Sequence, residues 1–206
     1  MVIKLKKTKK KSNLIKLSIG ITFISLLYKL LLVYFTMSLV LLIATIPTLI
    51  VLVCKVLYIK NVKRTRDKKK KAYYFMLICI FLYSLIFILF VVLKFNGIDI
   101  SNDKTYNGWI GSLFIMLLII IFILSILSLK DAVSKDDIMV IGLKEIAFVS
   151  ALSDSVIIEE YISRIILEYK TFKVLETINN YYSLAIGIIM LCTSVIMFFR
   201  IIKYKA

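Results

Sequence analysis

The chain has 206 residues, of which 61% are hydrophobic, and it carries a formal net charge of +16. This composition leaves little sequence for a soluble domain, and the absence of histidine removes the commonest general base and the commonest metal ligand. We therefore expect one integral membrane domain over residues 1–206, with no cofactor, no metal and no catalytic site.

Apolar segments long enough to cross a bilayer recur along the chain. They predict an all-α, polytopic transmembrane helical bundle with six spans, five being the alternative, and one amphipathic interfacial helix. The predicted spans cover about 15–35, 38–59, 73–95, 109–129, 138–158 and 183–200, and the predicted interfacial helix covers 159–180.

Two basic segments flank the first spans, Lys4–Lys16 within residues 1–16 and Lys60–Lys71. Lys and Arg accumulate on the cytoplasmic side of membrane proteins and favour anionic lipid headgroups. We therefore expect a cytoplasmic N-terminus and lipid contact at both segments, and no nucleic-acid partner. The frequent use of Lys, Ile, Asn and Tyr indicates an AT-rich, bacterial genome, so the expected location is the cytoplasmic membrane.

The segment 138–158 decides the number of spans. It is mostly apolar but contains Lys144, Glu145 and Asp154, and an ionised side chain at the centre of a bilayer costs about 2.5–3.5 kcal/mol. If it crosses, the basic C-terminal residues after Arg200 lie on the cytoplasmic side, as the charge rule requires. We therefore favour six spans over five.

The depths of the charged residues predict two pairings. Lys29 and Asp154 lie roughly 22–24 Å from the cytoplasmic edge at 1.5 Å per residue, so we predict that they face each other. The alternative is that Lys29 extends alone to the outer headgroups. Glu145 is similarly predicted to meet Lys55 in the inner third of the membrane.

Hydroxyl and small residues form stripes on the first two spans. Ser18, Thr22, Ser25 and Lys29 share one helical face of the first span. The second span repeats the pattern with Ser38, Thr45, Thr48 and Lys55. Such residues are typical of close helix packing. A polar track for a solute or ion is the alternative. Cys54, Cys79 and Cys192 fall inside predicted spans without metal-type spacing, which indicates packing residues.

Residues 159–164 read Glu-Glu-Tyr-Ile-Ser-Arg and fit a Glu-Glu-x-x-x-Arg pattern formed by Glu159, Glu160 and Arg164. The pattern resembles the first motif of the intramembrane CAAX-protease and bacteriocin-processing family, in which such glutamates act with histidines on later helices. The resemblance covers six residues, and because the chain has no histidine the catalytic role does not carry over. The spacing of Glu160, Arg164 and Glu168 instead predicts ion pairs along a helix surface.

These observations favour a non-enzymatic membrane protein that acts through helix packing and partner binding, as an accessory subunit or an immunity-type protein. The expected partner is another membrane protein or a second copy of the chain. A small transporter or channel subunit is the alternative, and an inactive relative of the peptidase family is a more remote one.

Overall fold

The computed structural model describes residues 2–36, 38–61, 65–96, 109–133, 137–167 and 172–204, and the side chains of 18–35, 38–61, 65–96, 115–127, 137–160, 162 and 177–204. Over these residues the chain forms six helices and no strand, which confirms the predicted all-α helical bundle. The helices are α1 Val2–Thr36, α2 Leu39–Asn61, α3 Arg66–Phe95, α4 Trp109–Val133, α5 Ile138–Leu167 and α6 Phe172–Lys203.

Among the described residues, four helices contain stretches that are long and apolar enough to cross a membrane. These are Ser18–Phe35 in α1, Leu39–Asn61, Arg66–Phe95 and Thr177–Lys203 in α6. Within the described side chains, α4 contributes the shorter apolar stretch Ile115–Leu127. A helix satisfies its own backbone hydrogen bonds, so long runs of Leu, Ile and Phe are stable in lipid in this form. The apolar helices fit a membrane protein.

Helix α5 occupies the centre of the bundle and packs against α2, α3, α4 and α6, while α1 packs on α2 and α3 packs on α6. Helices α3 and α5 run side by side in the same direction. Lys69 pairs with Asp137 at one end, with 3.2 Å between Nζ and Oδ2, and Lys94 pairs with Glu160 at the other. These ion pairs lie about 35 Å apart along the helix axis, close to the ~30 Å thickness of a bilayer's hydrocarbon core.

We call the end of the bundle that holds Lys69 and Asp137 the basic end. There the guanidinium of Arg66 donates to the carbonyl of Tyr204, with 2.8 Å between nitrogen and oxygen, and stacks on the ring of the same tyrosine. The other end, with Lys94 and Glu160, is called the distal end. There Phe95 of α3 packs edge-on against Tyr181 of α6.

The core lies where α2, α3, α5 and α6 meet. Its fully buried side chains include Cys54, Tyr73, Met76, Met139, Ile146 and Met190. Gly142 of α5 allows α3 to approach closely, because a Cβ atom at this position would lie 2.8 Å from the Tyr73 ring and 3.0 Å from the Met76 sulfur.

The structure corrects the predicted helix boundaries. The separate interfacial helix predicted over 159–180 is absent from the described residues, since 159–167 continue α5 and 172–180 are the first turns of α6. Helices α1 and α3 likewise extend into the basic segments, to Val2 and Arg66. Hydropathy marks the membrane-embedded part of a helix, whereas the helix itself continues through Lys and Glu, which are good helix formers.

Candidate functional site

The ammonium of Lys29 lies inside the bundle and forms a salt bridge with Asp154. Lys29 is 1% exposed and Asp154 is 2% exposed. The predicted pairing of these two residues is confirmed, and the alternative in which Lys29 extends alone to the headgroups is wrong. Opposite charges at this depth compensate each other, since either one alone would be costly in hydrocarbon.

Helix α2 supplies the other partners of Lys29. Its ammonium donates to Thr48 Oγ1 at 2.8 Å and approaches the carbonyl of Ala44 at 3.5 Å. Thr48 Oγ1 lies 3.4 Å from Ser150 Oγ on α5. An ammonium has three donors, and the oxygens of Asp154, Thr48 and Ala44 accept one each.

A second lysine joins the same two helices, but it lies on α2 and donates to α1. Lys55 of α2 donates to Thr22 Oγ1 of α1 and to the carbonyl of Ser18 at 3.2 Å. Thr22 and Lys29 lie two turns apart on α1, and Thr48 and Lys55 lie two turns apart on α2. The lysine of each helix donates to the threonine of the other. The two bonds therefore fix the register of the antiparallel pair at two levels. The hydroxyl stripes predicted for packing meet here, at Thr22 and Thr48.

Glu145 of α5 binds residues of α3 and α6. Its Oε1 forms a salt bridge with Arg200, and its Oε2 accepts a hydrogen bond of 3.0 Å from the Tyr73 hydroxyl. The predicted pairing of Glu145 with Lys55 is therefore wrong. Both cations lie in the half of the bundle nearer the basic end, but Lys55 faces α1 whereas Arg200 faces α5. Lys144, next to Glu145, is half-buried and also makes contacts within the protein.

Two tyrosines add hydroxyl contacts to α5 that the sequence did not predict. Tyr83 of α3 lies with its hydroxyl 2.6 Å from Ser153 Oγ, and Tyr182 of α6 donates to Ser155 Oγ at 3.0 Å. Ser153, Asp154 and Ser155 are consecutive, so they point in different directions around the helix. The three residues thereby connect α5 to α3, α1 and α6.

The motif at 159–164 is split between two faces of α5. Glu160 pairs with Lys94 of α3, and Glu159 lines a groove on another side of the helix. The side chain of Arg164 and all of Glu168 lie outside the described residues. The ion pairs predicted among Glu160, Arg164 and Glu168 therefore stay a prediction.

The groove lies between α4 and α6, which both pack on α5 and whose backbones do not approach each other within the described residues. Its volume is about 440 Å³. Its lining consists of Ile119, Phe122, Ser155, Ile158, Glu159, Ile162 and Tyr182. Two residues of this lining, Ile119 of α4 and Ile162 of α5, are exposed.

No protein-family model matches the chain, and neither the comparison with curated proteins nor the comparison with solved structures finds a match. In the part of the chain that the structure describes, no group of three His, Cys, Asp or Glu side chains is placed to hold a metal ion. The candidate site comprises the paired charges and hydroxyls within the bundle and the groove between α4 and α6.

Proposed function

We propose that the protein is a non-enzymatic, multi-pass protein of the bacterial cytoplasmic membrane that acts by binding another membrane protein, as an accessory subunit or an immunity-type protein. The observation that carries the proposal is the internal pairing of the charges on α5. Asp154 binds Lys29, and both oxygens of Glu145 bind residues of neighbouring helices. Groups paired in this way hold helices together, which leaves the outer surface of the bundle for contacts with other molecules.

The proposal includes six membrane crossings, with the N-terminus and the segments Lys4–Lys16 and Lys60–Lys71 on the cytoplasmic side against anionic lipid. It is supported by the burial of α5, since residues 137–160 contain no exposed side chain. It is also supported by the ion pairs Lys69–Asp137 and Lys94–Glu160, because charges at the two ends of a spanning helix can reach the interfaces.

A small transporter or channel subunit is the second candidate, and the Lys29–Asp154 pair favours it. Helix α1 packs on α2 and makes no backbone approach to α5 within the described residues, so the long Lys29 side chain bridges the two helices. A single ion pair that joins two helices is an element that can open and close during transport.

The test is co-purification of the tagged chain from its native membrane in mild detergent after light crosslinking, with mass spectrometry of the captured proteins. The proposal expects a stoichiometric membrane-protein partner. Recovery of the chain by itself, together with ion or solute flux in liposomes that is lost in Asp154→Asn, would contradict it and establish the transport candidate.

A further inference from the structure

The Lys29 ammonium lies among oxygen atoms that belong to other helices. Helix α5 supplies a carboxylate oxygen of Asp154, and α2 supplies the Thr48 hydroxyl at 2.8 Å and the Ala44 carbonyl at 3.5 Å. Ser150 of α5 places a further hydroxyl 3.4 Å from Thr48 Oγ1. Within the described residues, α1 contributes the cation and none of its acceptors. The oxygen atoms are therefore an arrangement of α2 and α5 around a single positive charge.

The chemistry of these oxygens suits a free monovalent cation as well as an ammonium. Carboxylates, carbonyls and hydroxyls are the oxygen ligands by which proteins bind hard cations. The single carboxylate of Asp154 balances one positive charge, and a second charge without a partner would be unfavourable in hydrocarbon. The surroundings are closed to lipid, since Asp154, Thr48 and Ser150 are all buried. The ligand class that fits is therefore Na⁺ or K⁺ and not a divalent ion.

Helix α2 is interrupted beside these oxygens. Pro47 lies inside the helix, between Ala44 and Thr48. Proline has no backbone N–H, so the carbonyl of Ile43 loses its usual helical donor, and the proline ring kinks the helix. In membrane transport proteins, carbonyl groups at interruptions of this kind coordinate monovalent ions. The kink is a second observation, independent of the ion pair, that indicates a cation at this level of the bundle.

The second buried carboxylate, Glu145, has different partners. Its two oxygens accept from the guanidinium of Arg200 and from the hydroxyl of Tyr73, so two other helices hold it in place. Asp154 is bound by an ammonium, which is a compact charge at the end of a flexible stem. A free ion can take the place of such a group more readily than that of a guanidinium and a hydroxyl.

The Lys29 side chain reaches these oxygens from a distance. The backbone of α1 does not approach α5 within the described residues, so the lysine stem extends across the space between the two helices. A covalently attached group has a high effective concentration at its binding site. While α1 remains in place, a free ion in solution therefore does not displace the ammonium.

We propose that α2 and α5 form a monovalent-cation site at Asp154, Thr48 and Ala44, and that Lys29 is its tethered occupant in the place of Na⁺ or K⁺. The charge of Asp154 is then balanced without a free ion, and the stability of the unaltered bundle does not depend on which monovalent salt is present. The inference goes beyond the proposed function and does not rest on it.

The test removes the tethered cation and supplies a free one. Full-length Lys29→Met protein is purified in detergent, and its thermal unfolding is compared in KCl, NaCl and N-methylglucamine chloride at equal ionic strength. We expect KCl or NaCl, at about tenfold above the Kd of the ion, to raise the melting temperature by about 3–6 °C over N-methylglucamine chloride. The unaltered protein should unfold at the same temperature in all three salts.

Two control variants locate the ion. Lys29→Met combined with Asp154→Asn removes the carboxylate and should show no response to K⁺ or Na⁺. Lys55→Met removes the other lysine that joins α1 and α2, whose described acceptors are the uncharged oxygens of Thr22 and Ser18, and should also show no response. A response retained without the Asp154 carboxylate would overturn the proposal, because the ion would then bind elsewhere.

Equal melting temperatures of Lys29→Met in the three salts would likewise overturn the proposal. The buried carboxylate would then be compensated by a proton or by water and not by an ion. If Lys29→Met does not accumulate in the membrane, Lys29→Ser, which adds a hydroxyl to the same space, is measured in its place. Failure of both variants to accumulate in cells that contain K⁺ would also contradict the proposal, since K⁺ should replace the missing ammonium.

Discussion

Helices α4 and α5 lie side by side but are opposite in character. Eight side chains within Ile115–Leu127 of α4 are exposed, namely Met116, Leu117, Ile119, Ile120, Ile123, Leu124, Ile126 and Leu127, whereas residues 137–160 of α5 contain none. The helix that carries Lys144, Glu145 and Asp154 is thus surrounded by other helices, and the uninterrupted apolar helix faces outward. A charged side chain in contact with hydrocarbon is energetically unfavourable. A bundle in lipid is therefore expected to enclose its charged helix among other helices and to expose its apolar helix.

The comparison implies that the stability of α5 depends on its neighbouring helices, whereas much of the α4 surface between Ile115 and Leu127 makes no such contact. The two acidic side chains in the middle of α5 bind other helices: Glu145 binds α3 and α6, and Asp154 binds α1. Substitutions that remove these partners should therefore destabilise the bundle more than substitutions on the exposed face of α4.

The largest effect is expected from separating Lys29 and Asp154. Lys29→Ala and Asp154→Ala should each lower the free energy of unfolding by about 3–5 kcal/mol, because each leaves a buried charge without its partner. The double variant Lys29→Met with Asp154→Leu should be no less stable than either single variant. Equilibrium unfolding in mixed detergent micelles and the amount of protein in the membrane measure both. Additive losses in the double variant would show that the two charges act independently.

The next effect concerns Glu145 and its partner. Arg200→Ala and Glu145→Ala should each cost about 3 kcal/mol and should show a coupling energy of at least about 1 kcal/mol in a double-mutant cycle. The matched cycle of Glu145→Ala with Lys55→Ala should show coupling near zero, because Lys55 binds Thr22 and Ser18 on α1. A larger coupling with Lys55 than with Arg200 would contradict the structure.

A smaller effect is expected where α5 approaches α3 most closely. Gly142→Ala should destabilise the bundle by about 1–3 kcal/mol through overpacking, because the Tyr73 ring that meets the new methyl group is fully buried and bound to Glu145. Gly20→Ala is the control, since a Cβ there meets nothing within 4 Å. Thermal unfolding in detergent compares the two variants, and equal melting temperatures would show that α3 and α5 are not closely packed at Gly142.

The smallest effect is expected from the hydroxyl contacts that join α1 and α2. Thr48→Val and Thr22→Val should each cost about 0.6–1.7 kcal/mol, the range for hydrogen bonds between membrane helices. Ile120→Val on the exposed side of α4 should change stability by less than about 0.5 kcal/mol. If the threonine variants fall within the range of the Ile120 variant, the two threonine hydroxyls do not contribute to the stability of the α1–α2 pair.

The sequence predicts the Lys29–Asp154 pair from the position of each residue along its span and from their opposite charges. These two facts are enough to identify a partner when few other ionised side chains lie at the same level. The same reasoning fails for Glu145, since depth gives the level of a side chain but not the direction from which a neighbouring helix approaches. Lys55 and Arg200 both lie in the half of the bundle nearer the basic end, and only the arrangement of α1, α5 and α6 decides between them. The groove beside Glu159 likewise depends on the spacing of α4 and α6, and the local sequence pattern does not predict this spacing.

The boundaries of the helices show a related limit of sequence reasoning. Residues 159–180 have an amphipathic pattern that predicts one interfacial helix, but the structure assigns 159–167 to α5 and 172–180 to α6. An apolar stripe is equally suited to a membrane surface and to the end of a packed helix. Choosing between them requires a tertiary contact, the ion pair of Glu160 with Lys94 of α3.

The most direct test of the account is whether α5 crosses the membrane. Ser134→Cys and Thr171→Cys, introduced singly into a chain in which Cys54, Cys79 and Cys192 are replaced by alanine, place one thiol before α5 and one after it. Labelling with a membrane-impermeant maleimide is then compared in right-side-out and inverted vesicles. We expect the thiol at 171 to react in right-side-out vesicles and the thiol at 134 in inverted ones. Reaction of both from the same side would contradict the account, because α5 would then lie outside the bilayer and its buried charges would need another explanation.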